Sequence, residues 1–160
     1  MLSRNIVLST LISLLLHINL SAQQYFDYEW EHYCITVTFP EDFKASKNTA
    51  DEFEAIGDGM EFALYPFNDQ SISEDDIAAY TVGIAESVQL QEVDDANAIA
   101  LNGLKGACVE EYKDGSRVFL SGLIDTNSAT NFFALITFGD ATDNVAQDEA
   151  VTILKSLRRK

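Results

Sequence analysis

Two histidines and two cysteines are the whole supply of nitrogen and sulfur ligands in this chain of 160 residues. His32 and Cys34 stand two positions apart and could share a strand face as a minimal thiolate–imidazole pair. The plainer arrangement is a turn residue beside a packed or bridged cysteine. A Ser-His-Asp site would have to draw on His32, and no G-x-S-x-G elbow offers the serine. The chain has no H-E-x-x-H and no C-x-x-C, so no zinc site is expected. Carboxylates are plentiful, with 26 Asp+Glu. Asp140, Thr142, Asn144 and Asp148 loosely resemble an oxygen-ligand loop. Its sixth position is Val145 rather than glycine, and its twelfth is Val151 rather than glutamate, which favours an acidic helix start over an EF-hand. Glu110/Glu111, Asp94/Asp95 and Glu74–Asp76 are paired carboxylates of the kind used in hydrolysis. Adjacent strand residues point to opposite faces, however, and the other pairs fall in a loop and at a helix start. Solvated charge is their expected role. No catalytic residue, metal or cofactor is expected.

Binding chemistry has one better candidate. Phe26, Tyr28 and Trp30 alternate with Asp27, Glu29 and Glu31, giving one strand an aromatic face and an acidic face. Such a stripe more often packs as core; exposed, it could anchor a partner or a carbohydrate ring. Nucleic acid and anionic membrane surfaces are excluded by a net charge of −16, because both recruit Lys and Arg.

The chain opens as a secretory leader. Arg4 precedes the apolar run Ile6–Leu16, and Ser21-Ala22 end a small, polar stretch that fits cleavage near Ala22. The run falls short of the roughly 20 residues a membrane-spanning helix needs. The expected organisation is a signal peptide over 1–22 and one domain over 23–160, secreted or periplasmic, monomeric, and not stably inserted in a membrane. Export makes Cys34 and Cys108 candidates for a disulfide, with two buried thiols as the alternative. It also removes one base and no acid. Of the remaining bases, Lys155, Arg158, Arg159 and Lys160 crowd the C-terminus, behind a strongly anionic body.

Elements able to position these residues follow from period and punctuation. Phe26–His32 is a strand, after which the apolar parity flips to Ile35, Val37 and Phe39, so a turn or bulge lies near Glu31–Tyr33. Glu52–Ile56 and Met60–Phe67 flank Gly57-Asp58-Gly59 as a hairpin. Ser73 with Asp76 resembles a capping box, and Ile77, Tyr80, Thr81, Ile84 and Val88 make one apolar helix face. Ala96–Leu101, Leu104–Tyr112 and Ser116–Ile124 are strands joined at Asn102-Gly103 and Asp114-Gly115. Asn131–Gly139 is the last strand. A helix over about Asp143–Leu157 then presents Val145, Ala150, Val151, Leu154 and Leu157, and the basic tail complements its C-terminal end. Strands such as Val118–Ile124 and Phe132–Phe138 are apolar on both faces and must be covered on both. The expected fold is therefore α+β, a three-layer α/β/α sandwich with a central antiparallel sheet flanked by helices.

This order resembles the PsbP-like fold family. That family includes an extrinsic subunit of photosystem II, a Ran-binding import factor and bacterial secreted proteins of unknown role. The resemblance rests on Ile35-Thr36-Val37-Thr38-Phe39-Pro40-Glu41-Asp42-Phe43 and on the helix after Ser73. It rests also on Leu101-Asn102-Gly103-Leu104-Lys105-Gly106 and on the closing helix Glu149–Leu157. It covers about residues 25–158 and is one of pattern and spacing. Cystatin-like sheets and the nuclear-transport-factor cone are rival topologies, although the latter normally begins with helices. The resemblance implies an exported, non-enzymatic binding domain whose partner is a protein or a small cationic or carbohydrate ligand. A carboxylate hydrolase and an acidic structural secreted protein are the competing classes.

Overall fold

Alternating apolar residues build most of the molecule as antiparallel ribbon. The computed structural model describes residues 23–91, 93, 95–139 and 143–160. The expected signal peptide, Asp94, Asp140 and Thr142 lie outside the described residues. Strands β1 (Tyr25–Trp30) and β2 (Ile35–Pro40) form the first hairpin, and the turn that flips the parity occupies residues 31–34. Strands β3 (Lys44–Asn48), β4 (Phe53–Gly57) and β5 (Met60–Phe67) follow, then helix α1 (Ile77–Ser87). Strands β6 (Asn97–Leu101), β7 (Leu104–Lys113), β8 (Ser116–Asp125) and β9 (Asn131–Phe138) precede helix α2 (Asn144–Ser156) and a two-residue strand, β10 (Arg158–Arg159).

Seven strands make one sheet in the order β3-β4-β5-β9-β8-β7-β6, and β1-β2-β10 make a second. This corrects the expected three-layer α/β/α sandwich. The protein is 50% strand and 18% helix, with two antiparallel sheets and two helices among the described residues. Residues apolar on both sides of β8 and β9 demand cover without specifying what supplies it. On one face the cover is largely the small sheet, with α2 beside it. Phe39 of β2 meets Phe62 of β5 edge-on at 5.0 Å, and Trp30 meets Phe132 of β9 at 5.8 Å. Burial of each such side chain stabilises by about 1.5–3 kcal/mol.

On the other face α1 lies across β7 and β8. Gly122 admits it: a Cβ there would stand 2.3 Å from Thr81 Oγ1 and 3.0 Å from Ile77 Cδ1. Ile77, Thr81 and Ala85 are the buried residues of this helix. The expected cap pair does meet, with Ser73 Oγ donating to Asp76 Oδ2 at 2.5 Å. It forms a turn ahead of the helix rather than the cap itself, because the regular helix begins only at Ile77.

The basic tail closes the fold. Arg158 Nη2 reaches Asp27 Oδ2 at 2.5 Å, Arg159 Nη1 reaches the buried Asp125 Oδ2 at 2.7 Å, and Lys160 Nζ reaches Glu29 Oε2 at 2.7 Å. Bonds from the Thr38 hydroxyl and Arg158 hold the Asp27 carboxyl below the usual carboxylate range. Beyond complementing a helix end, the tail pins β1 and the β8 terminus together.

Candidate functional site

Helix α1 is narrower than the face it covers. Its sequence offers Ile84 and Val88 as apolar residues beyond those it buries, and Val88 remains 42% exposed. Beside it the odd-numbered side chains of β5 and β9 look out from the sheet. Tyr65 and Ile56 on this side are 37% and 50% exposed. At one end Phe67, Tyr80 and Phe133 stack, with Phe67 and Phe133 at 4.4 Å, and close the gap under the helix. At the other end the β7–β8 turn carries Lys113 and Asp114. Between them lies a groove of about 460 Å³, floored by Val118, Leu120, Phe133 and Leu135 and walled by Ile84 and Val88. That volume lies within the range of ordinary ligand sites. A smaller hollow of about 110 Å³ continues it past Tyr65 towards Ile56, Glu54 and Glu61.

The polar atoms stand at the rim. Lys113 Nζ donates to the Val88 carbonyl at 2.7 Å, capping the end of α1 and laying its aliphatic stem along the groove. Burial, with Glu54 and Glu52 adding to it, pushes the Tyr65 phenol above its ordinary value, so the hydroxyl is neutral at physiological pH. Lys47 is held by Glu52 at 2.9 Å and Glu54 at 3.0 Å. Glu61 and Asp114 complete an acidic rim whose two lysines are already engaged. Such a surface can take an apolar body and prefer a cationic surround.

The aromatic stripe divides. Trp30 is 1% exposed, packs on Phe132, and donates through Nε1 to the Thr49 carbonyl at 2.5 Å. Tyr28 is half-buried against Phe39 and donates to the Phe43 carbonyl at 3.0 Å. Phe26 is 49% exposed and alone keeps the open position of the three. The stripe is therefore mainly core, because the small sheet lies face down on the large one.

Cys34 and Cys108, the candidate pair, are separate free thiols. Cys34 lies in the exposed β1–β2 turn with φ 52, and Cys108 is buried in β7. Burial pushes the Cys108 thiol up to about 11. His32 occupies the same turn as Cys34, so the two do not share a strand face. Glu110 and Glu111 diverge as expected: Glu110 accepts from Gln147 of α2 at 2.9 Å, whereas Glu111 is buried beside α1 on the opposite face. Asp143 caps α2 by accepting from Val145 N at 2.9 Å and Ala146 N at 3.0 Å, which gives that acidic stretch a structural job. The described residues contain no group of three or more His, Cys, Asp and Glu placed to hold a metal, and no helix long and apolar enough to cross a membrane. Sequence reasoning missed the groove. Its one advance signal was an apolar face on α1 that extends to Val88.

No family model and no curated protein matches the chain. Solved structures do. A protein of Bacteroides thetaiotaomicron VPI-5482 is 12% identical with a TM-score of 0.50, over 86% of this chain. The match spans 48% of that protein, so this chain corresponds to about half of it. The Saccharomyces cerevisiae Ran-binding protein Mog1p is 10% identical with a TM-score of 0.54, over 85% of this chain and 95% of its own. At such identities the likeness is one of fold alone, and that fold fits the Mog1/PsbP-like architecture.

Proposed function

We propose that this chain is a non-enzymatic binding domain, exported after loss of residues 1–22, that docks apolar side chains of a basic partner protein in the groove beside α1. The observation that carries this is the groove itself, an apolar floor left open by a folded helix. Apolar floors of this kind supply affinity, while the polar groups around them set orientation. The acidic rim of Glu54, Glu61 and Asp114 supports a cationic partner. Likeness to a Ran-binding protein supports binding over catalysis and names no partner here.

Leu135→Arg tests the reading, because it places a charge on the groove floor at a half-buried position. Purified chain and variant would be titrated with Nile red, a neutral apolar dye, and then used to capture partners from the extracellular or periplasmic fraction. The expected result is dye fluorescence lost in the variant, and a basic protein retained by the parent alone. Equal dye binding and equal capture by both forms would sink the proposal.

A further inference from the structure

The seven-stranded sheet ends in two edges, and they are built differently. Edge strand β3 carries Lys44 and Lys47 on five exposed residues, and its register slips between Ala45 and Lys47. Lysines and a bulge are the usual guards against another strand pairing there. Edge strand β6 is Asn97-Ala98-Ile99-Ala100-Leu101, with no charge, no proline and an unbroken register along β7.

The outward backbone groups of β6 can be assigned. Leu101 and Leu104 close the two-residue turn at Asn102-Gly103, so they form a hydrogen-bonded pair. Alternation then turns Ile99 and Asn97 inward to β7, leaving the N–H and C=O of Ala98 and Ala100 facing outward. Asn102 belongs to the same outward set, and its carbonyl accepts from Arg159 N at 2.9 Å in a parallel bridge with Arg158. Arg158 and Arg159 thus already pair at one end of this edge.

Beside the open stretch a second groove, of about 350 Å³, runs between β6 and α2. Ile99 and Leu101 form one wall, Val151 and Leu154 the other, and Phe119 and Cys108 lie at its base. It shares no residue with the groove beside α1. A strand with no partner on its outer side among the described residues, alongside a helix-walled apolar channel, meets both needs of strand addition. The backbone ladder gives affinity, and pockets for alternate side chains give selectivity.

We infer that β6 accepts an added strand: an extended segment of a partner protein, apolar at alternate positions and flanked by Lys or Arg. The flanking charge follows from the molecule's own. Its net charge is −16, and Arg158, Arg159 and Lys160 near this edge are held by Asp27, Asp125 and Glu29. Glu110 and Lys155 give the groove one charge of each sign, so complementarity comes from the surrounding surface. A second copy would bring −16 against −16 and is disfavoured as the occupant.

The probe is a synthetic peptide of alternating Val and Thr with two Lys at each end. Its controls are the same peptide with Glu ends and one with alternate amides N-methylated. Amide exchange of the chain, with and without peptide, reads the site. The expected result is protection at Ala98 and Ala100 with the Lys-ended peptide and weaker binding of the Glu-ended one. N-methylation should cost about five- to tenfold in affinity, the equivalent of one or two net hydrogen bonds. Ala100→Pro should cost as much while unfolding at the parent's temperature, since the N–H it removes points away from β7. The N-methylated peptide keeps the test valid if that variant fails to fold. Unchanged exchange at Ala98 and Ala100, or equal binding of the N-methylated peptide, would overturn the inference. Protection that rises with protein concentration and needs no peptide would replace the partner with a second copy. Leu135→Arg should bind the peptide normally; loss there, with Ala100→Pro unaffected, would locate binding in the other groove and overturn this site alone.

Discussion

Phe39 and Trp30, on one face of the seven-stranded sheet, are at most 1% exposed under the small sheet and α2; across the sheet, Tyr65 and Leu135 look into an open groove beside α1. Both faces carry apolar side chains at alternate positions of the same strands, so composition does not separate them. The covering element does. A sheet laid on a sheet meets it along several strands at once, and side chains from both interdigitate. A single helix of 11 residues spans about 16 Å and one stripe of neighbours, and it is seated over β7 and β8. Stability is thus concentrated under the small sheet, leaving apolar surface open beside α1 and, at the β6 end of the sheet, beside α2.

The largest test of that contrast is a pair of truncations. Phe39→Ala removes a fully buried ring from the covered face and should cost about 3–5 kcal/mol, whereas Leu135→Ala on the open face should cost about 1 kcal/mol. Urea unfolding of both variants measures the difference, and equal losses would erase the distinction between faces. Trp30→Ala belongs with Phe39→Ala: it should report folding rather than recognition. Next in size is Asp125→Ala, at about 3 kcal/mol, because Arg159 at 2.7 Å and the Asn127 amide at 2.9 Å both lose a buried acceptor. Arg159→Ala should approach the same loss and should not add fully to it.

The seat of α1 gives the third test. Gly122→Ala puts a methyl 2.3 Å from Thr81 Oγ1 and should cost about 1–3 kcal/mol. Adding Thr81→Ala removes the atom that is struck and should recover part of that loss. Independent, additive losses in the double variant would show that the glycine does not set the helix's position. The same variants should alter Nile red binding, since moving α1 changes the groove's width.

Hairpins were legible in the sequence where local chemistry decides them. Asp58-Gly59 and Asp114-Gly115 adopt positive φ at both positions, as that turn type requires, while at Asn102-Gly103 only the glycine does. The helices were legible too, although Val145, expected to be buried, is 78% exposed because it lies in the first turn of α2. Strands β3 and β10 were not. Lys44-Ala45-Ser46-Lys47-Asn48 shows no apolar alternation and is a strand only through its pairing with β4. Arg158 and Arg159 become a strand only opposite Thr36 and Ile35, which lie over 100 residues away. The groove was illegible for a related reason. It is the area α1 leaves uncovered, and that depends on Gly122 of β8 meeting Thr81 and Ile77 of the helix. A periodic pattern reports that a face is apolar; which partner covers it, and how far, is set by such distant contacts.

The smallest expected effect is chemical, and it reads the faces through their thiols. Cys108 lies on the covered side, 8% exposed, and Cys34 is in an exposed turn. Burial favours the neutral thiol and raises Cys108 from an ordinary value of 9.0 to about 11. The folded chain therefore holds that proton more tightly than the unfolded one. Its contribution to stability is fully present below about pH 9 and is lost as pH rises towards 11. Cys108→Ala should consequently flatten the alkaline decline of stability, while Cys34→Ala leaves it unchanged. With iodoacetamide at pH 8, Cys34 should react within the first phase and Cys108, at the base of the groove between β6 and α2, more slowly. Denatured chain without reductant should show both thiols. Labelling of Cys108 as fast as Cys34 in the folded chain would mean that the groove between β6 and α2 admits reagents to its base, and the two faces would then differ in static packing but not in protection.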